Sequence, residues 1–331
     1  MPRRTRCGVC RLTLLPEASG FGTMGQISKD LMSIADVWLF LQQGIVSGMV
    51  TGSIYSLLAI AVVIIFKTTD VPNFAQGEIF MAGGYIGIYL LLILAWPVLF
   101  AIPVILALTS ILAAVFQRVV LRQVQKARGV SVNLVIATLG LAYFLKGAVR
   151  HTGLGDSPRS LPALFSNDSV NIGQASITHL DVAIFVLSVI TMLLLFLMFN
   201  YTRIGRGMRA VGMNPTGAQL VGVSLGKMHM TIWALSGLIS ALAALLITPK
   251  LLITPDIGHI AILAYAAAII GGFTSLPGAV LGGFVIGIVE NLVGLFVSSS
   301  AIVVAPFLAI LLVLAFRPQG LLGGQLQVKK V

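Results

Sequence analysis

The chain has 331 residues, of which 58% are hydrophobic and only 9% are charged. A soluble domain carries about 25% charged residues, so this composition excludes a water-soluble enzyme or binding module and predicts an all-α polytopic membrane protein. The 21 basic and 10 acidic residues give a net charge of +11, but the basic residues are concentrated in a few loops. That distribution indicates membrane topology and not a nucleic-acid-binding surface.

The first part of the chain differs in character from the rest. Its early arginines resemble a charged leader, but the apolar run Leu12–Leu15 is too short for a signal peptide. We therefore interpret residues 1–36 as a basic N-terminal extension, either disordered or preceding the natural start. Cys7 and Cys10 have no further ligands near them in the sequence, so no metal site is predicted.

Nine apolar segments follow. A helix needs roughly 20 residues to cross a hydrocarbon core of about 30 Å. By that measure residues 37–323 form a transmembrane domain with eight or nine crossings, three of which are short or adjoin a proline. Residues 324–331 then form a short cytoplasmic tail. The predicted spans lie near residues 42–66, 77–95, 97–116, 131–149, 181–200, 230–249, 260–272, 279–297 and 301–316.

Two basic stretches set the predicted topology. Residues 118–128 and 203–227 each carry four basic side chains and no acidic one, and such loops lie on the cytoplasmic side of a membrane. The loop between residues 151 and 180 then lies outside, and the basic C-terminus lies inside. Nine full crossings place the basic N-terminus outside. Either one segment is re-entrant or the charged leader is absent from the native protein, and both alternatives stay open.

Glycines recur at four-residue intervals within the predicted helices. Small residues at this spacing let helix backbones approach closely, which matters in a membrane because lipid provides no hydrophobic drive between helices. The pattern predicts a tightly packed bundle, with or without sliding along these seams during a conformational cycle. The glycines are Gly44, Gly48 and Gly52, Gly83 and Gly87, Gly278 and Gly282, and Gly283 and Gly287.

The helical pattern is interrupted around Pro72 and around Pro277. In transporters, matching interruptions often mark an internal repeat and the translocation path, since irregular backbone at membrane depth is tolerated only beside protein or water. The alternative is that each is a tight cytoplasmic turn. Glu290 is also a candidate for the translocation path, because an ionisable residue inside a membrane span is by default a functional candidate. The path candidates are Asn73, Gln76, Gly77, Glu78, Gly271, Gly272, Thr274, Ser275, Pro277, Gly278 and Glu290.

A short amphipathic helix is predicted inside the second basic stretch. Asn214-Pro215-Thr216 is typical of a helix start, with Asn at the N-cap and Pro at the first helical position. The sequence contains no energy source, because Gly222–Met228 is one residue short of a nucleotide-binding P-loop and has Met where Ser or Thr binds magnesium. It shows no catalytic acid–base pair either. A cytoplasmic helix on such a chain indicates a place where another protein acts.

Four segments occur in order over roughly residues 40–323 and together resemble one family, the Liv-type (LivH-like) permease subunits of branched-chain amino acid ABC importers. Two positions depart from the family pattern. Gln76 stands where the family usually has His, and Thr216-Gly217 stands where it has an acidic or bulkier residue. The four segments are Asn73–Glu78, Arg206–Pro215, Gly271–Gly283 and Phe316–Gly323.

The resemblance implies a permease that is not itself an enzyme and that imports branched-chain amino acids by alternating access across the bacterial cytoplasmic (inner) membrane. It implies a second homologous permease, two cytoplasmic ATPase subunits that bind ATP and magnesium, and an extracytoplasmic substrate-binding protein. The chain itself then needs no cofactor, lies in the lipid bilayer and binds no nucleic acid. In such importers a short cytoplasmic helix docks on the ATPase. Here the docking residues are Arg209, Asn214, Pro215, Thr216, Ala218, Gln219, Leu220 and Gly222.

Two alternatives remain open. In one, the same machinery carries urea, short amides or other small solutes, because in this family the separate binding protein largely selects the cargo. In the other, the chain is a stand-alone secondary carrier or channel. That alternative predicts gradient-driven uptake by liposomes that contain this chain alone.

Overall fold

The computed structural model describes residues 34–126, 131–162, 169–172 and 175–323. Residues 1–33 of the predicted extension, both cysteines and the predicted tail at 324–331 lie outside these residues. The short elements are β1 (Ser169–Ile172), β2 (Ala175–Thr178), the π-helical turns Tyr89–Ile93 and Gln117–Leu121, and the 3₁₀ turns Ile257–His259 and Ser299–Ile302. The helices are α1 (Ile34–Thr69), α2 (Gln76–Ile88), α3 (Val98–Phe116), α4 (Arg122–Lys126), α5 (Ser131–His151), α6 (His179–Tyr201), α7 (Arg203–Met213), α8 (Pro215–Leu220), α9 (Leu225–Ile247), α10 (Ile260–Gly271), α11 (Leu276–Phe296) and α12 (Ala305–Phe316).

The contacts of the chain divide it into two units, residues 1–40 and residues 41–331, so the first turns of α1 belong to the first unit. Within the first unit the structure describes residues 34–40, which are helical. The rest of α1 and all later elements belong to the second unit.

Seven helices within the described residues are long and apolar enough to cross a membrane. Two further apolar helices, Ile257–Gly271 and Ala305–Phe316, are shorter. Together these nine correspond to the nine predicted segments, and they confirm an all-α polytopic membrane protein. The observed helices run beyond some of the predicted spans. For example, α9 begins at Leu225 and not near residue 230, since a helix end at the membrane surface accommodates polar residues that a hydropathy pattern excludes.

Contacts between distant residues identify the two ends of the helix bundle. At one end a Cβ atom placed on Gly226 would lie 3.8 Å from Nε of Arg122, so the two basic stretches meet there. At the other end the side chain of Gln43, in α1, exchanges two hydrogen bonds of 3.0 Å with the backbone of Ser176 in β2. Because basic loops lie in the cytoplasm, α1 runs from the outside inward. This direction agrees with nine crossings and an inner C-terminal end.

A small β-hairpin between α5 and α6 was not predicted from the sequence. Strands β1 and β2 pair antiparallel, with Ser169 opposite Thr178. The hairpin lies in the stretch that the topology places outside the membrane, where backbone groups that the hairpin leaves unpaired reach water.

The middle of α1 lies at the centre of the bundle. Every residue from Leu57 to Ile65 is at most 3% exposed, as expected of a helix that is apolar on all sides and is surrounded by other helices. The outer helices instead expose large apolar side chains, such as Leu99 in α3, Phe144 in α5 and Leu194 in α6. Surfaces of this kind suit the hydrocarbon of a bilayer.

Glycines bring α1 and α11 into backbone contact. A Cβ atom on Gly48 would lie 2.6 Å from Cα of Ile288, and one on Gly52 would lie 2.9 Å from the carbonyl oxygen of Gly283. Gly287 packs so tightly on the backbone of Gly52 that no side chain fits between them. The glycine spacing in α1 and α11 therefore predicted close packing correctly.

Glycines also bring α2 and α3 into backbone contact with α9. A Cβ atom on Gly83 would lie 2.9 Å from Cα of Ala241, and one on Gly237 would lie 2.8 Å from the carbonyl oxygen of Thr109. This three-helix contact holds the middle of α2 and of α3 against α9.

Candidate functional site

The first interruption, between α1 and α2, forms a polar network in the interior of the bundle. Asn73 and Gln76 are both 0% exposed. Gln76 Oε1 accepts hydrogen bonds of 3.0 Å from Asn73 Nδ2 and from Ser236 Oγ, and Gln76 Nε2 donates to Ser240 Oγ at 2.5 Å. Both polar atoms of the Gln76 side chain thus have partners, as a buried amide requires. Since Ser236 and Ser240 lie near the middle of α9, the network lies at membrane depth.

Side chains also satisfy the irregular backbone of this interruption. The N–H of Ala75 donates to Asn73 Oδ1 at 3.1 Å. The hydroxyl of Tyr265, in α10, donates to the carbonyl oxygen of Asn73. The ring of Phe74 stacks on that of Tyr265 with 5.7 Å between centroids. Protein groups therefore replace water here, which is the condition for irregular backbone inside a membrane.

The first turn of α2 approaches the backbone of Gly258. Only glycine fits at position 77, because the Cβ atom of any other residue would overlap the carbonyl oxygen of Gly258. A Cβ atom on Gly258 would in turn lie 3.1 Å from Glu78 Oε1. The two glycines thus let the half-buried Glu78 carboxylate lie beside the 3₁₀ turn that precedes α10.

A cavity of about 530 Å³ adjoins these residues on the outer side, and we call it the outer cavity. Apolar and aromatic side chains from α5 and α10 form most of its wall, and charged groups lie at one end. A cavity of this size holds a small solute with an apolar part. It is lined by Phe74, Glu78, Leu139, Ala142, Tyr143, Lys146, Asp256, Gly258, His259, Ala261, Ile262 and Tyr265.

An ion pair forms the charged end of the outer cavity. Asp256 Oδ1 lies 2.5 Å from Nζ of Lys146, and Asp256 Oδ2 lies 3.4 Å from Nη2 of Arg150. The hydrogen bond from Lys146 and the positive charge of Lys146 lower the pKa of the Asp256 carboxyl below its ordinary value. Asp256 is therefore ionised at neutral pH, and its ion pair with Lys146 lies at the edge of the cavity.

The second interruption is a tight turn between α10 and α11. Ser275 caps α11, and its Oγ accepts the N–H of Gly278 at 3.1 Å. Pro277 lies in the first turn of α11, where the helix needs no donor. Thr274 lies in the same turn.

The C-terminal segment holds the other side of this turn. The N–H of Leu321 donates to the carbonyl oxygen of Ile270 at 2.7 Å, and the N–H of Leu322 donates to that of Gly271 at 3.1 Å. Gly272 has a φ of +99°, a conformation that favours glycine. These path candidates lie at the cytoplasmic end, whereas Asn73 and Gln76 contact the middle of α9. The structure does not bring the two groups into one site.

Glu290 lies apart from both groups of path candidates. It lines a second outer-side cavity of about 350 Å³ together with Tyr55 and Lys250. Its Oε2 atom is buried and has no hydrogen-bond partner among the described residues. Lys250 pairs with Asp181, with 2.6 Å between Nζ and Oδ1.

The predicted cytoplasmic helix is present as α8. Asn214 is its N-cap and accepts the N–H of Gly217 at Oδ1, 2.9 Å away. Pro215 lies in its first turn, so the helix start was predicted correctly. Beyond its end, Gly222 has a φ of +87°.

Three exposed apolar side chains flank α8: Met213 ends α7, Leu220 ends α8 and Val221 follows it, and we call these three residues the exposed tip. These three side chains are 80%, 84% and 77% exposed, whereas Ala218 is 3% exposed and packs inward. Also exposed are Thr216 and Gln219. The exposed tip lies within the basic stretch 203–227, which the topology assigns to the cytoplasmic side.

The preceding helix α7 fastens α8 to the bundle. Nη1 of Arg209 donates to Oδ1 of Asn200 at 3.0 Å, and Nη2 donates to the Asn200 carbonyl oxygen at 3.1 Å. A Cβ atom on Gly212 would lie 2.6 Å from the carbonyl oxygen of Lys67. Arg209 therefore ties α7 to the end of α6, and Gly212 lets α7 lie against the end of α1.

Several residues of these sites were not predicted from the sequence, among them Ser236, Ser240, Tyr265, Lys146 and Asp256. Ser236 and Ser240 carried a signal, since two serines four residues apart inside an apolar span share one face of a helix. Tyr265 carried no such sequence signal, because an aromatic residue in an apolar helix is common. Lys146 and Asp256 lie in different segments, and only the fold brings them together.

Comparison with known proteins places the whole transmembrane region in one family. Residues 44–316 match the family model for the permease component of the branched-chain amino acid transport system. BraD of Pseudomonas aeruginosa, a high-affinity branched-chain amino acid transport system permease protein, is 30% identical over 311 residues, which cover 89% of this chain and 99% of BraD. LivH of Escherichia coli K12, with the same description, is 29% identical over 313 residues, covering 90% and 100%.

A sugar permease is also similar. The ribose import permease protein RbsC of Haemophilus influenzae is 26% identical over 288 residues, which cover 84% of this chain and 83% of RbsC. The family match and the near-complete coverage of BraD agree with the resemblance noted in the sequence. This multi-pass membrane protein belongs to the family of permease components of branched-chain amino acid transport systems.

Proposed function

We propose that the chain is the transmembrane permease subunit of an ATP-driven importer of branched-chain amino acids in the bacterial cytoplasmic (inner) membrane. The family supports the transport role, and the descriptions of BraD and LivH support the cargo. One observation carries the ATP-driven part of the proposal. The exposed tip carries three large apolar side chains, the basic stretch around it favours the cytoplasmic side, and such patches mark contacts with other proteins.

The proposed partner at the exposed tip is a cytoplasmic ATPase subunit. Two such subunits would bind ATP and magnesium, because the nearest approach to a P-loop in this sequence, Gly222–Met228, is incomplete. A second homologous permease would complete the membrane part, and an extracytoplasmic binding protein would deliver the substrate. The chain itself would bind no cofactor.

Movement of the ATPase subunits would reach the membrane through α7. The hydrogen bonds between Arg209 and Asn200 connect α7 to α6, and the contact between Gly212 and Lys67 connects it to α1. The end of α1 leads directly into the first interruption. A push on α8 therefore has a short mechanical route to the polar network around Gln76, and this route supports alternating access.

The residues at the first interruption would have two different roles in translocation. Asn73 and Gln76 are fully buried and bonded to one another, so we assign them to holding the interruption in shape. Glu78 and Tyr265 line the outer cavity, and we assign them to contact with the solute. An apolar wall with Lys146 and Asp256 at one end suits a zwitterion that carries an apolar side chain.

A second candidate cargo is a small uncharged polar solute, and the similarity to RbsC favours it. The same permease architecture would then serve a different binding protein. The outer cavity distinguishes the two cargoes by its charged end, since neither Lys146 nor Asp256 has an ionic partner in a sugar.

Reconstitution tests the proposed function. Liposomes that contain this chain alone should accumulate no leucine, with or without internal ATP. Liposomes that contain the full set of permeases, ATPases and binding protein should accumulate leucine only when ATP is present. Accumulation by the lone chain would contradict the proposal. ATP-dependent uptake of a sugar and not of leucine would keep the transport mechanism but change the proposed substrate to a sugar.

A further inference from the structure

A pocket of about 260 Å³ lies at the inner end of the bundle, where the π-helical turn Gln117–Leu121 meets the first turn of α9. We call it the inner basic pocket. Three of its side chains are cations, and no carboxylate of the described residues lines it. Its polar and small residues are Gln117, Arg118, Arg122, Ser224, Gly226 and Lys227. A pocket with this charge attracts anions.

The start of α9 contributes backbone donors to the inner basic pocket. The first backbone hydrogen bond of α9 runs from the N–H of Met228 to the carbonyl oxygen of Ser224, so the N–H groups of residues 225–227 precede the helical ladder. Within the described part of the chain, the side chain of Ser224 makes no capping hydrogen bond. Free N–H groups and the helix dipole make such a terminus suited to a phosphate group.

A buried amide points to a ligand independently of the helix terminus. Gln117 is 1% exposed and lines the pocket. Its Nε2 atom has no hydrogen-bond partner among the described residues. A buried donor without a partner costs free energy, and an anion in the pocket would accept its hydrogen bond. π-Helical turns such as the one that carries Gln117 occur frequently at functional sites.

The arginine side chains are placed to complete the same site. A Cβ atom on Gly226 would lie 3.8 Å from Nε and 3.9 Å from Cζ of Arg122, so this guanidinium lies against the first turn of α9. Arg118 precedes Arg122 by one helical turn and lines the same pocket. Guanidinium groups bind phosphate oxygens in pairs, which gives geometric specificity as well as attraction.

The surface next to the pocket suggests the source of the phosphate. Ile111, Val115 and Val119 are each about half exposed, and with Arg118 and Arg122 they follow one face of the continuous helical run from α3 to α4. An apolar stripe that ends in two arginines at the cytoplasmic surface matches a phospholipid, with acyl chains beside the stripe and the phosphate at the arginines. Anionic lipids also give the inner leaflet a negative surface potential.

We propose that the inner basic pocket binds the phosphate group of an anionic phospholipid from the cytoplasmic leaflet. Arg118, Arg122 and Lys227 supply charge, the first turn of α9 supplies backbone donors, and Gln117 supplies a buried donor. The bound headgroup joins α3 to the start of α9. The inference is independent of the proposed cargo and of the ATPase partner.

Native mass spectrometry of the purified full chain tests this proposal, with phosphatidylglycerol and phosphatidylcholine as the two lipid probes. The wild-type chain should retain phosphatidylglycerol in preference to phosphatidylcholine. The double variant Arg118→Gln/Arg122→Gln removes two charge-assisted hydrogen-bonding groups from the pocket and should bind phosphatidylglycerol more weakly by about tenfold or more. The matched control Arg203→Gln removes an exposed inner-side arginine that does not line the pocket, and its affinity should stay within about twofold of wild type.

A variant at Gln117 separates this site from a general attraction to basic residues. Gln117→Leu keeps the charge and should weaken phosphatidylglycerol binding several-fold. Gln117→Glu places a carboxylate against the phosphate and should weaken it further, and a thermal melt of each variant checks that it is folded. Equal retention of phosphatidylglycerol by wild type and by the double arginine variant would overturn the proposal.

Inorganic phosphate distinguishes the two sources of the phosphate group. Millimolar inorganic phosphate should raise the melting temperature of the detergent-purified chain less than micromolar phosphatidylglycerol does. Stabilisation by inorganic phosphate without any stabilisation by the lipid would contradict the lipid assignment.

Discussion

Gln76 donates from its side-chain amide to the hydroxyl of Ser240, with 2.5 Å between the nitrogen and the oxygen, and both residues are fully buried. The bond joins the first turn of α2 to the middle of α9. It therefore fixes an interrupted stretch of chain to one of the continuous spanning helices. The oxygen of the same Gln76 amide accepts a hydrogen bond from Asn73, so one side chain connects the interruption itself to α9.

Replacing Gln76 by Leu should destabilise the protein. The change leaves the amide of Asn73 buried without its acceptor, and a buried polar group without a partner costs about 1–3 kcal/mol. Thermal unfolding in detergent, monitored by circular dichroism, measures the effect. Ser240→Ala removes only one hydroxyl and should cost less. Gln76→His keeps a side-chain donor and acceptor and should restore part of the loss. An unchanged melting temperature for Gln76→Leu would show that the network does not stabilise the fold.

A methyl group in the seam between α1 and α11 should also be costly. In Gly287→Ala the new carbon would overlap the backbone of Gly52, so the helices must separate, at about 1–3 kcal/mol. The matched control is Gly140→Ala in α5, where a Cβ atom would have no neighbour within 4 Å. That change should be neutral or stabilising by up to about 1 kcal/mol. Equal melting temperatures for the two variants would be inconsistent with close packing at this seam.

The ion pair of the outer cavity should make stability depend on acid pH. The pKa of Asp256 is lowered in the folded protein, so its contribution is complete above its ordinary value of 3.8. That contribution disappears as the pH falls through the lower folded value. Melting temperatures between pH 7 and pH 2 should fall less steeply for Asp256→Asn than for wild type at the acid end. The difference should be small and should shrink with added salt, since the pair is exposed to solvent. Parallel curves at every pH would contradict this prediction.

A charge on the exposed tip should weaken docking of the proposed ATPase partner. Leu220 is 84% exposed, so Leu220→Asp should leave folding intact while it places a carboxylate in an apolar contact. Loss of a central apolar anchor typically weakens binding tenfold or more, by about 2 kcal/mol. Binding of the purified ATPase to permease in nanodiscs measures this directly. The control Leu322→Asp changes a leucine that is 48% exposed and is not part of the exposed tip, and it should retain binding.

Local signals accounted for what the sequence predicted correctly. The start of α8 depended on Asn214 and Pro215, which act on their own turn. The glycine spacing predicted close packing, because it depends only on the periodicity of one helix. It did not show that Gly52 would meet Gly283 or Gly287, since a partner more than 200 residues away leaves no trace in a local pattern.

The unpredicted features depend on contacts between distant segments. Lys146 and Asp256 each look like a charge near a helix end until the fold places them 2.5 Å apart. The hairpin of β1 and β2 is too short to show a strand pattern. Each interruption contains one proline, Pro72 or Pro277, but the first is a buried network and the second a capped turn. Their difference arises from Ser236, Ser240 and Tyr265 around the first, and from the C-terminal segment against the second.

The hydrogen bonds from Leu321 and Leu322 to the end of α10 have a consequence for biosynthesis. The last carbonyl groups of α10 obtain these donors only after translation has reached residue 322, so the turn into α11 stays incomplete while the ribosome still holds that part of the chain. A nonsense mutation that removed only the segment after α12 would spare every spanning helix and still leave this turn unfinished. Affinity tags on the C-terminal side should accordingly be attached beyond residue 323.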